Sequence, residues 1–112
     1  MTWKREKKLV EDIIKEKYDL DKLVSELTKL KSNELLNKHI QLIHRQIELN
    51  NLFNACFNIL TLEEQKILQM HAIDRLADFE IGIKLGFSER TTWERRKKAT
   101  LKFAKLINFY YE

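Results

Sequence analysis

Seven cations lie between positions 90 and 105 of this 112-residue chain: Arg90, Arg95, Arg96, Lys97, Lys98, Lys102 and Lys105. Only Glu89 and Glu94 oppose them, so the stretch from 89 to 105 is net +5 by count. Ammonium and guanidinium groups at helical spacing bind phosphates, and Arg also donates in bidentate fashion to the edge of a guanine. A solvated helix face is the plain alternative for any such charge run. What sets this run apart is its position directly behind a turn-and-cap signature.

Other reactive side chains are scattered. His39 and His44 are five apart, which does not align them on one helical face, and His71 is distant. Cys56 is the only cysteine, so no intramolecular disulfide forms. It sits in the apolar run Leu52-Phe53-Asn54-Ala55-Cys56-Phe57 and reads as a small buried hydrophobe. There is no Gly-rich phosphate loop. Glu63 and Glu64 are explained by helix capping and the N-terminal dipole. No catalytic residue, no metal site and no cofactor is expected, and an enzyme is disfavoured.

The elements that must position the basic run are helical. In Asp78–Leu85, Ile81 and Leu85 share one face of a short helix, with Phe79 beside them. Gly86 ends it, because glycine accepts the left-handed backbone that starts a tight turn. Ser88 is a good N-cap for the basic helix that follows. That helix runs on through Leu101, Phe103, Ala104, Leu106 and Ile107. Upstream, Thr61-Leu62-Glu63-Glu64 is a capping box that starts a helix ending near Asp74. These three helices are the minimum that covers the inner face of a helix-turn-helix.

In the first sixty residues, Leu9, Val10, Ile13 and Ile14 mark an amphipathic helix over Trp3–Lys17. Asp19 or Asp21 caps a second one carrying Leu20, Leu23, Val24, Leu27 and Leu30, and Ser32 or Asn33 caps a third. In the third, Leu36, Ile40, Ile43, Ile47 and Asn50 alternate in steps of four and three, as in a coiled-coil seam. A helical hairpin packing on itself and a dimer seam both fit that pattern. Phe109, Tyr110 and Tyr111 are expected to pack on the N-terminal helices.

There is no Pro, and Gly82 and Gly86 are the only glycines. Such a shortage of turn residues favours long helices. The net charge is +4, shared equally by the two halves, so the location of the charge says more than its sum. The start shows no signal peptide, and no stretch is apolar for long enough to span a membrane. A cytoplasmic protein with no membrane partner is expected.

The segment Ile81-Gly82-Ile83-Lys84-Leu85-Gly86-Phe87-Ser88-Glu89-Arg90-Thr91 resembles region 4 of bacterial sigma-70-type factors. The longer run from Leu60-Thr61-Leu62-Glu63-Glu64-Gln65 through Thr92-Trp93 to Phe103-Ala104 is similar to the ArpU-type regulators of phages and prophages. The resemblance implies a transcriptional regulator that binds double-stranded DNA, a late-gene activator acting with RNA polymerase. On that template Glu89, Arg90, Trp93 and Glu94 face the major groove, and Arg90 pairs with a guanine edge. Arg95, Arg96, Lys97 and Lys98 take phosphates, which anchor without reading sequence. Thr91 donates to a phosphate near the helix start, beside Ser88.

The chain departs from the template at two places. Gly82 stands where Ala is usual, and Thr92 and Arg95 stand where apolar residues are usual. Either the stem of Arg95 packs while its head reaches outward, or the helix is rolled so that Trp93 and Arg96 face inward. Trp93 is left between core packing and DNA contact.

The expectation is an all-α fold. Residues 1–60 form a helical hairpin or extension for oligomerisation or partner binding, packed on a helix-turn-helix DNA-binding domain over residues 61–112. A homodimer through the N-terminal helices, or a polymerase partner, supplies what a single helix-turn-helix lacks, since one alone reads only a few base pairs. The rival readings are a helical protein-interaction module, and a DNA-packaging or recombination accessory that uses the same motif.

Overall fold

The computed structural model describes residues 3–29 and 36–111, without the side chains of 36–38. The described residues form five helices and no strand: α1 (Trp3–Lys29), α2 (Leu36–Ala55), α3 (Leu62–Ala72), α4 (Asp78–Leu85) and α5 (Glu89–Tyr110). A single 3-10 turn, Phe57–Ile59, follows α2. The all-α expectation holds.

The N-terminal helices differ from the expectation in one respect. Two helices broken near Asp19 are one continuous helix of 27 residues. No Gly or Pro interrupts it, and Asp21 is engaged elsewhere. Its carboxylate accepts from Lys17 Nζ one turn back (2.8 Å) and from Gln46 Nε2 on α2 (2.9 Å). Burial pushes this carboxyl up, but those bonds outweigh it and hold it below its ordinary value. Arg45 on α2 pairs with Glu16 on α1 and with Glu48. The expected caps at Ser32 and Asn33 lie outside the described residues.

The core forms where α1, α2, α3 and α5 meet. Val10 and Ile14 come from α1, Leu49, Leu52 and Phe53 from α2, Leu68 and Ala72 from α3, and Ala99, Phe103, Ala104 and Ile107 from α5. The rings of Phe53, Phe57 and Phe103 lie 4.9–5.8 Å apart in tilted and edge-on arrangements, which favours their quadrupoles. Phe103 is fully buried. Cys56 is buried too, with its Sγ 3.4 Å from the Leu106 carbonyl, and burial pushes its thiol up. One buried cluster therefore draws on residues from both sides of the Leu60–Thr61 boundary.

The seam residues of α2 divide. Ile43 packs against the core and Asn50 is half-buried, whereas Ile40 and Ile47 are exposed; Leu42 and Leu49, which lie off that seam, also face inward. At the other end of the chain, Phe109, Tyr110 and Tyr111 are exposed rather than packed on the N-terminal helices. The inward positions of this last stretch are taken by Phe103 and Ile107, and α5 outruns the core beyond them.

Helix α3 starts on the anticipated capping box. The Glu64 N–H donates to Thr61 Oγ1 (3.1 Å), and the Thr61 N–H donates to Glu64 Oε1 (2.8 Å). Lys102 Nζ on α5 reaches the same carboxylate at 3.1 Å. Burial raises the Glu64 carboxyl, but the Thr61 N–H and the Lys102 ammonium outweigh it and leave it below the usual carboxylate range. A carboxyl lowered in the folded state contributes stability that is present above its unfolded value and lost as pH falls through the folded one. Glu64→Gln is expected to cost about 1 kcal/mol at neutral pH and little at pH 2–3, read by urea denaturation across pH. An equal cost at both pH values contradicts the assignment.

Candidate nucleic-acid interface

Helix α4, a three-residue turn and α5 carry the candidate site. The link before α4 holds Arg75 at a positive φ of 55°. The Ala77 N–H then donates to Glu80 Oε1 at 3.0 Å, which satisfies one free donor at the start of α4. Ile81 and Gly82 are buried, and α4 packs on α5 and α3. Gly86 has φ +82°, and the N–H groups of Gly86 and Phe87 both donate to the Gly82 carbonyl at 2.8 Å. This is the left-handed glycine stop anticipated for that position. The Ser88 Oγ accepts the Thr91 N–H at 3.1 Å and caps α5.

The two departures from the template meet in space. A Cβ on Gly82 would lie 2.5 Å from the Phe87 carbonyl oxygen and 2.9 Å from Thr92 Oγ1. Thr92 is fully buried, with its hydroxyl donating to the Ser88 carbonyl at 2.9 Å. The turn thus lies directly on the bare backbone of α4, and Thr92 brings its own hydrogen bond into the contact. Gly82→Ala is expected to lose up to about 2 kcal/mol. The gain in helix propensity, about 0.8–1 kcal/mol, falls short of the overpacking cost of about 1–3 kcal/mol. Thermal denaturation checks this, and a more stable alanine variant contradicts the contact.

Neither alternative for the roll of α5 holds whole. Arg95 does pack. Its guanidinium lies 4.3 Å from the Phe87 ring centroid, and its Nη1 donates to Glu63 Oε1 at 2.6 Å. Arg96 also turns inward, whereas Trp93 remains 40% exposed.

Arg96 is a correction. Grouped with the phosphate ligands from sequence, it is only 5% exposed and is bonded to Asp78 at the start of α4. Its Nε donates to Asp78 Oδ1 (2.8 Å) and its Nη2 to Asp78 Oδ2 (3.2 Å). A guanidinium so placed braces α4 against α5 and does not reach a phosphate.

The other candidates lie on or beside the outer side of α5. Ser88, Glu89, Arg90, Trp93, Glu94, Arg95 and Lys98 are exposed, and Thr91 and Lys97 are half-buried. The Arg90 Nε is 3.3 Å from Glu94 Oε1 on an open surface, a pairing of about 0–1 kcal/mol that a ligand displaces easily. Lys98 and Lys105 form no ion pair among the described residues. On the α3 side, Glu63 and Glu64 partner Arg95 and Lys102. On the opposite side stands the start of α1. Trp3 lies 5.6 Å from Lys97 Nζ, which is itself 5.1 Å from the Trp93 ring.

Sequence reasoning did not bring Trp3 or the cations next to it to this side of α5. The available signal was Lys4-Arg5-Glu6-Lys7-Lys8, an excess of cations in the opening turns of a helix, where the macrodipole disfavours them.

Fold and site together define an all-α protein whose last two helices meet at a glycine turn and present a basic outer ridge. A family model described as "Protein of unknown function (DUF1492)" matches residues 33–104, and the chain belongs to that family. The match runs from the region preceding α2 to Ala104 on α5 and so includes the whole turn and basic ridge. No curated protein and no solved structure matched the chain. Among the described residues, no helix is long and apolar enough to cross a membrane.

Proposed function

We propose that this protein is a sequence-specific DNA-binding regulator of transcription, working through α4 and α5 as a helix-turn-helix in the cytoplasm, and not an enzyme. The observation that carries this reading is the exposed ridge of Arg90, Glu94 and Lys98, held directly behind the Gly86 turn on a braced three-helix support. The first half of α5 enters the major groove. Arg90 and Glu94 meet base edges, and Lys97 and Lys98 meet phosphates. Its similarity to ArpU-type regulators supports a phage or prophage setting and late-gene activation beside RNA polymerase.

A homodimer belongs to the same reading. Ile40 and Ile47 are exposed on α2 seven residues apart, the repeat of a two-stranded seam, and a second copy covers them. Selection of bound sequences from random DNA tests both statements. A recovered motif with two-fold symmetry is expected. A single half-site contradicts the dimer, and no enrichment at all contradicts the DNA reading and leaves the helical interaction module. Promoter-proximal sites fit a regulator, whereas packaging or attachment sites fit the accessory role.

A further inference from the structure

We infer that the start of α1 is a second DNA-backbone contact, with Lys4 and Arg5 gripping the phosphate wall beside α5. This rests on the DNA-binding reading of α5 and adds a surface to it. Lys97 is the joint. Its ammonium lies 5.6 Å from the centroid of the Trp3 ring and 5.1 Å from that of Trp93, and Trp3 also lies 5.9 Å from the Arg96 guanidinium. Both cations are within the reach of an aromatic face. The opening turn of α1 is thereby held at the level of residues 93–97, the half of α5 that would enter the groove. Val10 and Ile14, one and two turns further on, lock the helix into the shared core.

Dimensions favour the contact. A helix with its side chains is about 10–12 Å across, and the major groove is about 12 Å wide, so an inserted helix has a phosphate wall close on each flank. The two flanks of α5 are not alike. On the α3 flank, Arg95 and Lys102 are partnered by Glu63 and Glu64. On the α1 flank, Lys4 and Arg5 are exposed and form no ion pair among the described residues, and Lys8 is exposed beside Asp12. Cations in the first turns of a helix oppose its macrodipole, so this placement does nothing for the folding of α1. It does suit an anion lying along the Trp93–Lys97 side.

The test uses the full chain and a labelled duplex of random sequence, roughly three helical turns long, titrated by fluorescence anisotropy over a range of salt. Lys4→Gln/Arg5→Gln is expected to reduce the slope of log K on log salt by about 1.8, at about 0.9 per contact. Affinity near 0.1 M salt then falls roughly tenfold or more. Lys22→Gln/Lys29→Gln removes equal charge from exposed sites on the same helix, about 25 Å or more along it, and leaves the slope unchanged. Circular dichroism verifies that both variants keep their helices. Equal slopes in the two double variants overturn the inference while the DNA-binding reading stands. A wild-type chain that binds no duplex at any salt overturns both.

Discussion

Asp78→Ala is expected to destabilise the protein by about 3–5 kcal/mol, enough to consume much of the stability of an ordinary domain. Asp78 supplies both carboxylate oxygens to Arg96, and both side chains are largely removed from water. The Nη1 of that guanidinium already has no hydrogen-bond partner. Deleting the carboxylate leaves a buried cation with no counter-charge. Breaking one side of such a pair costs far more than the pair itself contributes, because desolvation is then uncompensated. Asp78→Ala/Arg96→Met is accordingly expected to be much more stable than Asp78→Ala alone, since it removes the cation and refills its space with apolar atoms. Urea denaturation of the two variants decides the matter. A loss below about 1 kcal/mol for Asp78→Ala, with no recovery in the double variant, means that the pair is not buried in solution.

The same pair shows where sequence is informative and where it is not. Signals that act over three or four residues were legible: the Thr61 box, the Gly86 stop and the Ser88 cap. Each depends on local backbone geometry, which neighbouring residues determine. Arg96 was misplaced because its partner is 18 positions away, and in a run of four cations nothing local distinguishes the inward one. Asp19 and Asp21 looked like caps because aspartate is a good one. The claims of Lys17 and Gln46 on Asp21 are a matter of tertiary structure. Gly82 and Thr92 looked like two independent departures and are one contact. The placement of Trp3 beside Lys97 was invisible for the same reason, with more than ninety positions between them.

Residues 61–112 alone are expected to be largely unfolded, and the full chain is expected to unfold in one cooperative step. The boundary expected at Leu60–Thr61 does not separate two cores. In the fragment, Ala99, Phe103, Ala104 and Ile107 would lose the cover of Val10, Ile14, Leu49, Leu52 and Phe53. Exposing each large side chain of that kind gives up about 1.5–3 kcal/mol, and a chain of about 50 residues has little to spare. Circular dichroism and thermal melting of the fragment, beside the full chain, measure the effect. A fragment that melts cooperatively at the temperature of the full chain contradicts the shared core. A fragment that gains helix only when residues 1–60 are added in trans is the outcome the packing requires. The N-terminal helices then form the missing wall of the C-terminal half and are not a separable module.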